Sequence, residues 1–521
     1  MTTADRESRG DEPVESRSHL ARWIGLGLAP LAALVVWWLM PGEVVDDAGT
    51  IIMGKQGGLV AAIGVFMATL WVTEALPIAA TALMPIVLFP LATGGAISVK
   101  QATAPYADHI IYLFMGGFMI ALAMERWGLH RRLALNIVLI VGTRPASLVA
   151  GFMISSALLS MWVSNTATVV MMLPIALSVI ALVRREIVKS GQPIPTGAGG
   201  QFNFAVCLLL GTAYASSIGG IGTLIGTPPN LLMVSHLSQQ GVEVSFAKWM
   251  LIGMPFVFVF LPIAWVVLTR VVFPIRLREI PGGRALIQRE LAAQGPMSRA
   301  ELAVLIVFVL TAALWITQPL IKKISLGAAH PSPLGGLEDS VIAIGAALVL
   351  FGLPIDWKRG VFLLTWEQAV KLPWGTLILF GGGLSLAAAV KTSGVAAFIG
   401  HGVQSMGGVP TWVVVLAVIT LLVFLTELTS NTATIATFLP VLSAIALGLG
   451  VAPVLLIVPA TISVSLAFMM PVATPPNAII FGSGEITIGQ MCKAGLWLNI
   501  IGIMLVFVLT CLDVIPLLLS K

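Results

Sequence analysis

The chain has 521 residues, of which 58% are hydrophobic and 10% carry a charge, and its mean hydropathy is +1.01. Because soluble domains contain roughly 25% charged residues, this composition excludes a soluble globular protein. Apolar runs of about 20 residues, enough to cross a hydrocarbon core of about 30 Å, recur along the whole sequence. The sequence therefore predicts an all-α polytopic membrane protein, since a β-barrel would show short alternating segments.

The sequence contains none of the common enzyme motifs. Its three cysteines, Cys207, Cys492 and Cys511, lack metal or redox spacing, and its six histidines do not cluster. No P-loop, G-x-S-x-G, H-E-x-x-H or Rossmann fingerprint occurs. We therefore expect no catalytic residues, and we attribute the net charge of +5 to cytoplasmic loops rather than to a nucleic-acid partner.

The predicted elements begin with a polar tail at 1–22, which we expect to be cytoplasmic and disordered. The apolar run that follows lacks a small-residue cleavage site, so we interpret it as a retained helix rather than a signal peptide. We predict about 11 transmembrane helices, at 23–41, 58–75, 77–96, 109–125, 204–231, 249–273, 301–319, 338–354, 373–391, 453–481 and 494–517.

Basic residues in the connecting segments predict the orientation of the chain. With a cytoplasmic N-terminus, seven of the 28 lysines and arginines fall outside, and the remaining 21 fall on the cytoplasmic side. This bias fits the positive-inside rule. The predicted protein is a multi-pass protein of the cytoplasmic (inner or plasma) membrane, and eleven spans place its C-terminus outside. The seven outer basic residues are Lys55, Lys100, Lys248, Lys322, Lys323, Lys391 and Lys521.

An internal repeat is visible in two identical pentapeptides. S-N-T-A-T occurs at 164–168 and at 430–434, an offset of 266 residues that the glycine pairs Gly116-Gly117 and Gly382-Gly383 share. The span at 373–391 is the fifth after the corresponding span near the first glycine pair, so matching segments cross the membrane in opposite directions. The sequence therefore predicts an inverted-topology repeat, which is common among secondary transporters.

Each pentapeptide lies inside an apolar region that is too long for one straight span, at 146–182 and 411–448. Serine, asparagine and threonine are moderate helix formers but favoured N-cap residues. We therefore predict two re-entrant helical hairpins, entering from opposite faces with the S-N-T motifs at their tips. The second arm of each hairpin would begin with free N–H groups and a positive dipole end.

A second pair of motifs predicts interruptions in two of the spans. G-T-P-P-N at 226–230 and A-T-P-P-N at 473–477 have an offset of 247 residues. Proline is tolerated in the first turn of a helix but not in its interior. Thr227 and Thr474 are therefore predicted to cap restarted half-helices. Non-helical backbone at membrane depth survives only where it lines a cavity or is buried by protein, so two tips and two breaks would converge on one site.

The polar groups at these four points predict an anion site that also binds a cation. Hydroxyls, N–H groups and helix N-termini suit carboxylate or sulfate oxygens, while hydroxyl, amide and carbonyl oxygens suit Na⁺. No arginine or lysine is obvious at the tips. A divalent anion without a countercharge would be costly in a low-dielectric site, so bound Na⁺ gives a physical reason for coupled transport.

At these residues the chain resembles the divalent anion/sodium symporters, the DASS or INDY-type family. The twin S-N-T motifs, the twin P-P-N breaks and the run W-V-T-E-A-L-P-I-A-A-T-A-L-M-P at 71–85 carry the resemblance. It implies a homodimer that moves a transport domain against a scaffold domain in elevator fashion. It also implies Na⁺-coupled symport of C4-dicarboxylates such as succinate, malate and fumarate. We accordingly assign scaffold parts to 23–145 and 276–410, and transport parts to 146–275 and 411–521.

The resemblance also implies roles for individual residues. The first Na⁺ site would use Ser160, Ser164, Asn165 and the carbonyl of Gly226. The second would use Thr426, the carbonyl of Thr429, Asn431 and the carbonyl of Ala473. The substrate carboxylates would contact Asn165, Thr166, Thr227, Ser430, Thr432, Thr474 and Pro475. Because the oxygen ligands of both cation sites are intact, symport is favoured over Na⁺-independent exchange.

Several alternatives stay open from the sequence. The substrate could be sulfate or a tricarboxylate, the protein could be an exchanger, and broken half-helices also build anion channels. Glu427 either supports the second hairpin tip or takes part in cation or proton coupling. The Gly-Gly pairs are interpreted as points of close helix packing, and the basic segment 276–299 as a cytoplasmic interfacial helix and linker.

Overall fold

The structure is a computed structural model that describes residues 19–45, 49–142, 144–189, 202–277, 282–323, 334–405 and 409–512. The tail expected to be disordered lies outside these residues, except that the first helix already begins at His19. The helices are α1 His19–Leu39, α2 Gly57–Thr73, α3 Ile78–Thr81, α4 Met84–Ala92, α5 Val99–Thr103, α6 His109–Arg126, α7 Leu129–Val141, α8 Pro145–Ser160, α9 Asn165–Lys189, α10 Asn203–Gly220, α11 Pro228–Ser238, α12 Phe246–Val266, α13 Gly283–Ala292, α14 Arg299–Ile321, α15 Asp339–Gly352, α16 Trp366–Ala369, α17 Trp374–Thr392, α18 Val395–Ser405, α19 Thr411–Thr426, α20 Asn431–Gly448, α21 Val454–Ser463, α22 Pro475–Phe481 and α23 Ile488–Cys511.

The described part of the chain is mostly helical, with two small exceptions to the all-α prediction. Strands β1 (Val44–Val45) and β2 (Ile51–Met53) form one antiparallel hairpin, and β3 (Pro354–Asp356) and β4 (Val361–Phe362) form another. Both lie in segments that connect predicted spans. The fold therefore remains a helical bundle, and these hairpins are features of its loops.

Nine helices in the described residues are long and apolar enough to cross a membrane. Seven of them coincide with predicted spans, and the other two, α9 and α20, are the second arms of the predicted hairpins. The remaining predicted spans contain shorter apolar helices. The multi-pass prediction is thus confirmed, while the count of 11 spans stays a prediction.

The predicted span at 77–96 is the clearest departure from the sequence analysis, because it is divided into α3 and α4. Pro85 has no N–H to continue the helix, and it lies in the first turn of α4. The carbonyl of Ala82, at the division, accepts a hydrogen bond from the hydroxyl of Tyr106. The interruption therefore follows from a proline together with a tertiary contact that periodicity does not reveal.

Both S-N-T motifs mark the junction between two consecutive helices. Residues 161–164 separate α8 from α9, and residues 427–430 separate α19 from α20. Asn165 and Asn431 are the first residues of the second arms. The predicted helix–break–helix pattern is present at both motifs, whereas the depth of the tips in a membrane stays a prediction.

Both T-P-P-N motifs also follow an interruption. Residues 221–227 separate α10 from α11, and residues 464–474 separate α21 from α22. The prolines occupy the first turn of each restarted helix, where the missing N–H is not needed. Helix α10 lies at the centre of this region: 94% of it is buried, and it packs against α8, α9, α12 and α22.

Candidate functional site

A cavity of about 780 Å³ lies where the two tips and the two breaks meet. The tips contribute residues 163–167 and 430–432, and the breaks contribute 225–228 and 472–476. Most of the remaining wall comes from residues 74–78, from α6 and from residues 371–376 around the start of α17. All seven predicted substrate residues line this cavity: Asn165, Thr166, Thr227, Ser430, Thr432, Thr474 and Pro475.

The residues assigned to the first Na⁺ site lie close together at the first tip. The hydroxyl of Ser160 donates a hydrogen bond to Oδ1 of Asn165, and Ser164 Oγ accepts the N–H of Ala167 at 3.2 Å. A Cβ added to Gly220 would lie 2.9 Å from Asn165 Oδ1 and 3.1 Å from the carbonyl oxygen of Gly226. Asn165 Oδ1 and the Gly226 carbonyl oxygen, both predicted ligands, therefore lie beside the space that a side chain at Gly220 would fill. Neutral oxygens of this kind fit a small hard cation.

The second tip repeats this geometry. The hydroxyl of Thr426 lies 2.6 Å from Oδ1 of Asn431 and 3.0 Å from the carbonyl oxygen of Val464. Thr429 is also close, with its hydroxyl 2.7 Å from that of Thr434, and Ala473 lines the cavity. In both halves a hydroxyl contacts the amide oxygen of an asparagine five residues later. The internal repeat predicts such a matching contact in the two halves.

Two asparagines that the sequence analysis did not assign brace the interrupted helices. Nδ2 of Asn230 donates to the carbonyl oxygens of Gly220 (3.2 Å) and Thr223 (2.8 Å). Nδ2 of Asn477 donates to those of Ala467 and Met470, both at 3.1 Å. Both asparagines are completely buried. Each bridges carbonyl groups that a broken helix leaves without intrahelical partners, and the signal was the last letter of each T-P-P-N motif.

Glu427 is surrounded by hydrogen-bond donors. Its carboxylate accepts the backbone N–H groups of Phe468 (2.8 Å), Met469 (2.9 and 3.0 Å) and Met470 (3.0 Å). It also accepts the side-chain amide of Asn499 at 2.7 Å. These donors connect the second tip to the unwound segment before α22. The arrangement favours structural support of the tip over cation or proton coupling for this carboxylate.

The four capping hydroxyls are not equivalent. Ser164 Oγ accepts the N–H of Ala167, and Thr474 Oγ1 accepts the N–H of Asn477 at 3.4 Å. Thr227 and Ser430 occupy the corresponding N-cap positions, yet their side chains make no capping hydrogen bond. The prediction that the Thr227 side chain caps its half-helix is therefore wrong. Thr227 and Ser430 both line the cavity.

The charged residues that line the cavity come from segments away from the tips. Among the described lining residues, the basic side chains are Arg22 and Lys371, and the acidic ones are Glu74 and Glu125. Each lies at or near the end of a predicted span that the sequence analysis expects on the cytoplasmic side. The cavity extends from the neutral polar groups of the tips to these charged side chains.

Paired broken helices around a buried polar cavity define a membrane protein of the transporter class. The sequence matches the family described as the sodium:sulfate symporter transmembrane region over residues 21–519. The chain belongs to this family.

Two relatives are similar to this chain over most of their length. A protein of Staphylococcus saprophyticus named sodium-dependent dicarboxylate transporter SdcS is 40% identical over 495 residues, covering 94% of this chain and 91% of the relative. Its namesake in Staphylococcus aureus strain USA300 is 43% identical over 454 residues, covering 87% and 85%.

Two solved transporter structures share the fold. The YdaH transporter of Alcanivorax borkumensis superposes with a TM-score of 0.55 at 15% identity, covering 94% of this chain and 97% of that one. MtrF of Neisseria gonorrhoeae gives 0.58 at 14% identity, covering 94% of each chain. At these identities the likeness concerns the fold alone.

Proposed function

We propose that this chain is a Na⁺-coupled symporter of C4-dicarboxylates such as succinate, malate and fumarate. The observation that carries the proposal is the single cavity in which both S-N-T tips and both T-P-P-N breaks present neutral donors and oxygen ligands. The names of the SdcS relatives agree with this substrate class and with sodium dependence. The role is transport rather than catalysis.

In the proposed site, each Na⁺ is held at one tip and the dianion lies between them. Ser160, Ser164, Asn165 and the Gly226 carbonyl would hold the first ion, and Thr426, the Thr429 carbonyl, Asn431 and the Ala473 carbonyl the second. Both second arms begin at the tips, so their positive dipole ends face the substrate. Because the tips lack a fixed cation, the bound Na⁺ ions would supply the countercharge that a dianion needs.

The proposed mechanism is of the elevator type. Residues 146–275 and 411–521 would move as a transport domain against a scaffold formed by 23–145 and 276–410, within a homodimer in the cytoplasmic membrane. The N-terminus would be cytoplasmic and the C-terminus outside. The extension of the cavity toward Arg22 and Lys371 supports assigning this conformation to the inward-facing state.

Sulfate is the second candidate substrate, because the description of the family names it. Uptake of labelled succinate into proteoliposomes, with and without an inward Na⁺ gradient, separates the two. We expect saturable uptake that requires Na⁺ and is competed by malate and fumarate but not by sulfate or citrate. Uptake that sulfate abolishes would favour the second candidate, and succinate uptake without Na⁺ would contradict symport.

Thr227 and Thr474 are both N-cap residues, but only the Thr474 side chain makes a capping hydrogen bond, and this difference gives a matched test of the site. Thr227→Val removes a hydroxyl that makes no capping bond, so we expect a rise of roughly 5- to 10-fold in the succinate KM with little change in thermal stability. Thr474→Val removes a cap and should also lower the free energy of unfolding by about 1 kcal/mol. Equal losses of melting temperature in the two variants would contradict the difference in their hydroxyls.

A further inference from the structure

In the two glycine pairs of the repeat, the first glycines make contacts that match between the two halves, whereas the second glycines make contacts that differ. A Cβ on Gly116 would lie 2.6 Å from the carbonyl carbon of Ala343, and one on Gly382 would lie 2.7 Å from Cα of Ala82. Each first glycine thus packs against a neighbouring scaffold segment, in both halves at once. Because both halves make this contact in the same conformation, exchanging the conformations of the two halves would leave it in place.

The second glycine of each pair faces the proposed transport domain, and here the halves differ. A Cβ on Gly117 would lie 3.1 Å from Cγ2 of Ile225, in the break before α11. A Cβ on Gly383 would instead lie 3.7 Å from Cβ of Ala436 in α20 and 3.7 Å from Cδ2 of Leu232 in α11. The two symmetry-related glycines therefore contact non-equivalent elements.

The exposure of the symmetry-related side chains shows the same difference. Ile225, Ala436 and Leu232 contact the glycines and are 7%, 2% and 2% exposed. Their counterparts in the other half, at the offsets of the repeat, are Val472, Val170 and Ile479. Val472 and Val170 are 61% and 53% exposed, and Ile479 is half-buried. The three contacting side chains are therefore buried, whereas two of their three symmetry-related equivalents are exposed and the third is half-buried.

We infer that Gly117 and Gly383 are positioning residues of the scaffold, where the transport domain exchanges one set of contacts for another as it moves. In the opposite conformation the halves swap roles, so that Gly383 packs against Val472 while Gly117 packs against Val170 and Ile479. Glycine suits this position because a surface without side chains lets packed helices approach closely and slide. This inference rests on the elevator motion proposed above, and it names contacts that the present conformation does not contain.

Pairs of cysteines test the two sets of contacts separately. In a background with Cys492→Ser and Cys511→Ser, the pair Gly383→Cys with Ala436→Cys should form a disulfide at rest, because the two Cβ positions are 3.7 Å apart. The pair Gly383→Cys with Val472→Cys should form one only when the opposite conformation is visited. Each disulfide, identified by mass spectrometry, should reduce succinate uptake at least about 10-fold, and a reductant should restore it.

The single cysteine variants under the same oxidation are the controls. A Gly383–Val472 disulfide that fails to form in proteoliposomes, while the Gly383–Ala436 disulfide forms, would overturn the inference. Disulfides at both pairs without any succinate uptake by the parent protein would leave the inference intact and contradict the proposed function. Because glycine replacements could impair folding, Val472→Cys alone provides a second measurement. A polar maleimide should label its exposed thiol and block uptake, and labelling that leaves uptake unchanged would contradict the inference.

Discussion

Asn165→Ala and Asn431→Ala should each weaken Na⁺-driven succinate uptake severely. Each asparagine oxygen accepts a hydroxyl at its tip and is a proposed ligand of one Na⁺. Removing a hydrogen-bonded polar group from such a site costs about 1–3 kcal/mol, which corresponds to roughly 5- to 150-fold in apparent Na⁺ affinity. Uptake into proteoliposomes as a function of Na⁺ concentration measures this shift.

The effect should be specific to the tips. Asn136→Ala in α7 removes an asparagine whose side chain bonds only the preceding turn in the described structure, so its Na⁺ dependence should match that of the parent protein. The double variant Asn165→Ala with Asn431→Ala should lose all measurable coupled uptake. If either single variant retained the Na⁺ dependence of the parent, the proposed cation site at that tip would be wrong.

Glu427→Gln should mainly destabilise the proposed transport domain. The variant replaces one carboxylate oxygen with an amide that cannot accept the N–H groups of the unwound segment, which leaves buried donors unpaired. Hydrogen bonds to a charged group contribute about 1.5–3 kcal/mol each. We therefore expect a loss of about 3 kcal/mol or more in unfolding free energy, measured by thermal unfolding in detergent.

The exposed Glu367→Gln is the matched control, and its stability should be unchanged. Glu427→Met also tests whether the carboxylate supports the second tip, because methionine is the residue at the symmetry-related position, Met161. A coupling role would produce a different result: Glu427→Gln would fold normally, while the pH or Na⁺ dependence of uptake would change. Normal stability with altered coupling would therefore contradict the structural assignment.

Features that depend on local chemistry could be predicted from the sequence. The S-N-T motifs begin the second arms at Asn165 and Asn431 because cap preferences act within a few residues. The breaks before the paired prolines follow from the missing N–H of proline. The family itself could be identified because four such motifs occur in a fixed order along the chain.

Features that depend on distant contacts could not be predicted. Nothing in the sequence near Gly220 indicates that a Cβ added there would lie 2.9 Å from Asn165 Oδ1. The donors around Glu427 come from residues 468–470 and from Asn499, which only the folded chain brings together. The unequal roles of Thr227 and Thr474 are also invisible, because the two motifs are identical from the threonine to the asparagine.

The neutral lining between the tips has a consequence for slippage. On the proposed mechanism, a domain loaded with Na⁺ alone or with the dianion alone would carry unbalanced charge through a low-dielectric barrier, at a cost of several kcal/mol per ion. The fully loaded domain balances those charges, and the empty one carries no ion. Partial loads would therefore be retained on the side where they bound, so tight coupling would follow from solvation alone and would need no separate gate.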